Sequence, residues 1–122
     1  MTKKEYTDRL YEFHITLYNG TWEEFVAKMK KDELDIFLGE DAIHRIIGPD
    51  GFHFAVPELS EAIMFVKRKK GEKGLNLQTF VHELNHVCLA IFDSRGIPVN
   101  SDYSEPYCYY YDFLFGEFTN KK

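Results

Sequence analysis

At 122 residues, with 44% apolar and 16% aromatic residues, the chain is long enough for one domain with a sizeable core and too apolar to remain disordered. A net charge of −5 argues against a nucleic-acid binder, and the basic run Lys67-Arg68-Lys69-Lys70, continued by Lys73, reads as a solvated strand end or loop. Two cysteines, Cys88 and Cys108, are too few for a disulfide framework, Met1–Glu5 lead into no apolar signal segment, and no apolar run approaches the roughly 20 residues of a membrane span.

Along the chain, Tyr11, Phe13, Ile15 and Leu17 alternate with Glu12, His14, Thr16 and Tyr18, the period of a half-buried strand that ends at Asn19-Gly20. Thr21-Trp22-Glu23-Glu24 opens a helix with a capping box, predicted to run to about Leu34 and to bury Trp22, Phe25, Val26 and Met29. Ile36–Leu38 and Ala42–Ile47 are short apolar segments of sheet. Gly48-Pro49-Asp50-Gly51 is a turn, and Phe52–Val56 returns as a strand. The apolar run Ala62–Val66 precedes a loop containing glycine, Lys70–Gly74, and its length favours a strand.

From about Asn76 to Arg95 the periodicity is helical. Leu77, Phe80, Val81, Leu84, Cys88 and Ile91 form one stripe; Thr79, His82, His86, Ala90 and Asp93 form the opposite face. Gly96 and Pro98 stop this helix, and a final one begins near Glu105-Pro106 and reaches about Phe118. The fold class expected is a small α+β domain spanning residues 1–122, with a mainly antiparallel sheet of four or five strands and three helices. The motif described next falls on the second helix.

His82-Glu83-Leu84-Asn85-His86 carries the chemistry. Two histidines four apart on a helix project from one face, so both imidazoles can reach one zinc ion at about 2.0–2.1 Å. Glu83, rotated by one residue, can lie beside the ion and take a proton from its water. A chain of this composition holds about 0.02 such motifs by accident. A catalytic zinc usually takes a third protein ligand. Glu105 follows His86 after a helix end, a loop and a new helix start, which is enough chain to fold back. Asp102 in that loop is the runner-up. Asp93 lies roughly 10 Å along the axis from His86, too far to ligate. His14, His44 and His53 fall in predicted strands.

Phe80–His86 with Gly96-Ile97 and Ser104-Glu105-Pro106-Tyr107 resembles the gluzincin metallopeptidases, and among them the small zincin-like proteins encoded by phages and prophages. The resemblance covers the last 45 or so residues. It implies a bound Zn²⁺ held by His82, His86 and Glu105, with Glu83 as general base in peptide hydrolysis. Larger gluzincins often carry an Asp four residues after the ligand Glu; here Tyr109 stands there, which leaves Asp112 or a backbone carbonyl to support a ligating histidine. Among Tyr107, Tyr109, Tyr110 and Tyr111, Tyr109 is a candidate oxyanion stabiliser, and packing on the sheet is the plainer role for all four.

The activity implied is a zinc-dependent metallopeptidase: a soluble, cytoplasmic monomer with a peptide or protein substrate and no nucleic-acid or membrane partner. The strand Ala62–Val66 is expected to border the cleft, and its edge is a candidate for pairing with an extended peptide. A zinc-stabilised binding or inhibitory module, and a metal-dependent hydrolase of a non-peptide bond, are the alternatives.

Overall fold

A computed structural model describes residues 1–34, 50–102 and 104–120. The expected segments Ile36–Leu38 and Ala42–Ile47, the turn residues Gly48 and Pro49, and His44 lie outside the described residues. Among the described residues four strands form one sheet: β1 (Thr2–Thr7), β2 (His14–Gly20), β3 (Gly51–Val56) and β4 (Glu61–Lys67), in the order β1-β2-β4-β3. The outer pairings are antiparallel, and the central β2–β4 pairing is parallel, with Ile15 opposite Ala62 and Leu17 opposite Met64. Three helices accompany the sheet among the described residues: α1 (Trp22–Lys31), α2 (Leu77–Ser94) and α3 (Ser104–Thr119). The architecture is α+β with a mixed sheet. No helix of the described residues is long and apolar enough to cross a membrane.

The sheet is covered on both faces. Tyr18, Ile63 and Phe65 pack with Trp22, Phe25 and Met29 of α1, while Ile15, Leu17, Ala62, Met64 and Val66 pack with α2 and α3. The expectation of a half-buried β2 is not met: Thr16 and Tyr18, on its polar phase, are buried too. Strand β2 also starts later than the alternation suggested. Asp8 accepts hydrogen bonds from the Leu10 and Tyr11 amides, both at 2.9 Å, and Glu12 takes a left-handed φ of 61°, so Tyr11–Phe13 belong to the β1–β2 connection. Strand β1 was not anticipated. Its sequence is polar, and it exists because it pairs with β2 and because Lys4 donates to the carbonyls of Phe118 and Asn120 at the α3 C-terminus.

Local signals set the helix ends. In α1, Thr21 and Glu24 form the reciprocal capping box, and the helix stops at Lys31, before Leu34; Val26 is only partly buried. In α2, Asn76 Oδ1 accepts from the Thr79 amide at 3.1 Å. At its other end Gly96, with φ of 70°, donates to Asp93 O at 3.1 Å, and Ile97 donates to Phe92 O at 2.9 Å. That doubled closure needs a left-handed residue, which glycine supplies without a Cβ penalty.

Candidate metal centre

Helix α2 buries Phe80, Glu83, Leu84, Val87, Cys88, Ile91 and Phe92. The apolar stripe expected from periodicity is therefore turned: Leu77 and Val81 are 53% and 38% exposed. The helix must satisfy two neighbours at once, the sheet and α3, and the rotation that does so carries Glu83 inward. His82 stays exposed and His86 is half-buried, with their ring centroids 4.8 Å apart and the rings at 71°. Burial first, then the neighbouring imidazoles of His53 and His82, push His86 below the ordinary histidine value against the opposing influence of Glu83. That shift favours the neutral form a metal requires.

Strand β3 supplies a residue not counted among the ligands or the base. In its register Phe52 pairs with Phe65, His53 with Met64 and Phe54 with Ile63. The two phenylalanines belong to the α1 side, so His53 faces α2. Its ring stacks on His86 with centroids 4.3 Å apart and planes 7° from parallel, and its Nδ1 lies 3.4 Å from Glu83 Oε1. The Glu83 side chain is only 5% exposed, and its Oε2 is buried with no hydrogen-bond partner. The alternation Phe52-His53-Phe54 shows that His53 faces away from the phenylalanines; which face α2 covers is decided by long-range pairing.

Glu83 and His82 line an open cleft of about 370 Å³ together with Asp50, Gly51, Lys69, Asn76, Gln78 and Thr79. Lys69 pairs with Asp50 at 3.1 Å on its rim. At Gly51 the strand comes so close to α2 that a Cβ would lie 2.6 Å from Thr79 Cγ2 and 3.0 Å from Glu83 Cγ. Gly51→Ala is therefore expected to push α2 off β3 at a cost of about 1–3 kcal/mol. Thr79→Ser, which deletes the nearest methyl, should recover most of that loss in urea unfolding. An alanine variant as stable as the parent would show that α2 does not seat on Gly51.

The remaining sequence candidates are distributed as follows. Glu105 is exposed in the first turn of α3, and Asp102 is exposed in the preceding loop, where its amide bonds Asn100 Oδ1 at 2.9 Å. Asp93 and Asp112 are also exposed. Among the described residues no three His, Cys, Asp or Glu side chains are gathered closely enough to hold a metal, so Glu105 is not drawn in beside the histidine pair here. His14 bonds Thr7 Oγ1 and Glu5 Oε1 across the β1–β2 ladder, away from α2. Tyr107 donates to Asn85 Oδ1, Tyr111 donates to Val81 O, and buried Tyr110 donates to Asp8 at 3.0 Å. Tyr109, the candidate oxyanion stabiliser, is 71% exposed and lines a separate groove with Tyr6, Leu10 and Phe113. The four tyrosines thus divide between helix docking and a surface remote from Glu83. Strand β4 is hydrogen-bonded on both sides and offers no edge to a peptide, contrary to expectation; β3 has a strand partner on one side only among the described residues.

The donor chemistry fits zinc at the pair: two imidazoles on one helix face, one shifted towards its neutral form, beside a buried carboxylate with an unpartnered oxygen. No family model matches this chain, and no curated protein or solved structure matches it.

Proposed function

We propose that the chain is a zinc-dependent hydrolase of the gluzincin type acting on peptide bonds, with His82, His86 and Glu105 as ligands and Glu83 as general base. The observation that carries this reading is Glu83 itself: a buried carboxylate with one oxygen unpartnered, placed beside the His82–His86 pair and lining the same cleft as His82. A folding domain gains nothing from an unsatisfied buried carboxylate, which costs stability unless a reactant or ion completes it. When bound, zinc supplies Lewis acidity that polarises both water and a substrate carbonyl. Glu83 accepts the proton of the attacking water, whose oxygen adds to the carbonyl carbon, and returns that proton to the leaving amine nitrogen as the C–N bond breaks. Glu105 has to join the pair through its place in the first turn of α3, which Tyr107 already tethers to α2 at Asn85. Strand β3, carrying His53 and Gly51 beside Glu83 and paired on one side only among the described residues, is the strand along which an extended peptide would add.

Protein purified without added zinc is expected to contain one equivalent of the metal. His82→Ala or His86→Ala should reduce it to near zero, and near-full retention in either variant would overturn the site. Chelation is expected to lower the melting temperature while far-UV circular dichroism and a cooperative transition persist, because both hydrophobic clusters are built of apolar side chains and include neither His82, His86 nor Glu105. Collapse to an unfolded chain on chelation would instead mean a zinc-held binding module.

A further inference from the structure

We propose that His53 is the positioning residue for the Glu83 carboxylate, holding Oε1 from the strand side so that Oε2 is left for the reacting proton. This rests on Glu83 being the reacting carboxylate. The geometry behind it is a layered one. Glu83 lies between β3 and the cleft: His53 Nδ1 approaches Oε1 at 3.4 Å, while the residue also lines the cleft beside His82. A carboxylate that is to take a proton accepts at both oxygens, so in this role the hydrogen sits on Nδ1, which donates it to Oε1. His53 in turn is held by its stacking on His86, with ring centroids 4.3 Å apart, and by its alternation with Phe52 and Phe54, which anchor β3 on the α1 side. A glutamate has three rotatable bonds. One held oxygen, together with the close approach of Gly51 to Glu83 Cγ, restricts the rotamers that could carry the base away from the histidine pair. Coordination by His53 is a different role: its ring is parallel to that of His86, within 7°, and its Nδ1 is directed to the carboxylate.

The test has two readouts that need no activity. In the full chain stripped of metal, ring ¹⁵N NMR is expected to show His53 protonated at Nδ1, with that signal moving in Glu83→Gln. The Glu83 carboxylate stretch, assigned as the infrared band lost in Glu83→Gln, should shift in His53→Ala and return towards its parent position in His53→Asn, whose amide nitrogen can stand in for Nδ1. Zinc content should remain at the parent level in both His53 variants. A bare Nδ1 in the parent chain, an unmoved carboxylate band in His53→Ala, or loss of zinc from either variant would each overturn the assignment; zinc loss would make His53 a ligand. If His53→Ala does not fold, the NMR of the parent chain still decides. A parent chain that takes up no zinc would sink the hydrolase reading while leaving the His53–Glu83 contact open to both measurements.

Discussion

Replacing Glu83 by Gln is expected to abolish hydrolysis of extended peptides, by about 10²–10⁴-fold, while zinc content and fold stay at the parent level. The amide is nearly the same size and still accepts from His53 through its oxygen, but it cannot take a proton from water. The same substitution should stabilise the metal-free protein. Glu83 is buried with Oε2 unpartnered, and a neutral amide costs less to bury than a carboxylate, so a gain on the order of 1 kcal/mol or a few degrees in melting temperature is expected. Loss of zinc in proportion to activity would identify Glu83 as a ligand. A melting temperature well below the parent would show that the carboxylate serves the fold and is no burden to it. The combination expected, more stable and inactive, is what a site maintained at the expense of stability shows.

Phe65→Ala should be the most destabilising single truncation on the opposite face of the sheet. Phe65 is fully buried on the central strand β4, its ring centroid 4.4 Å from Trp22 and 4.6 Å from Phe25, with which it stacks at 21°. The residues that would have to collapse into the space belong to the sheet and to α1, which meet through this aromatic group, so relaxation is limited. A cost of about 3–5 kcal/mol is expected, set against the 5–15 kcal/mol total of an ordinary domain. Urea unfolding should show a large fall in midpoint with little change in slope. A loss below about 1 kcal/mol would mean that α1 does not pack on β4. The comparison with Glu83→Gln is useful because the two changes lie on opposite faces of one sheet and move stability in opposite directions.

The start of α1 and both ends of α2 were legible because their causes are local, whereas α1 stops at Lys31, short of the expected Leu34. Thr21 and Glu24 cap α1 within four residues, and Asn76 and Gly96 close α2 by bonds to their own neighbours. The strands were legible only where they are apolar. Glu61–Lys67 announces itself by its hydrophobic run, but Thr2–Thr7 has no such pattern and is a strand through its partner. The parallel register of β2 on β4 joins residues far apart in sequence, and nothing in either segment encodes its direction.

The sequence by itself determined the helix carrying His82, Glu83 and His86 and the common face of the two histidines, and it named the candidate groups for metal binding and proton transfer. These follow from the fixed 100° rotation per residue and from side-chain chemistry, both independent of the rest of the chain. Tertiary structure alone decided that Glu83 is buried, that His53 stands behind it, that Tyr109 is elsewhere, and that β3 rather than β4 borders the site. Each of these depends on how far α2 rotates against the sheet and on which strand lies beside it. That rotation is the compromise among apolar side chains from β2, β4, α2 and α3 competing for one interior, a quantity no local segment contains.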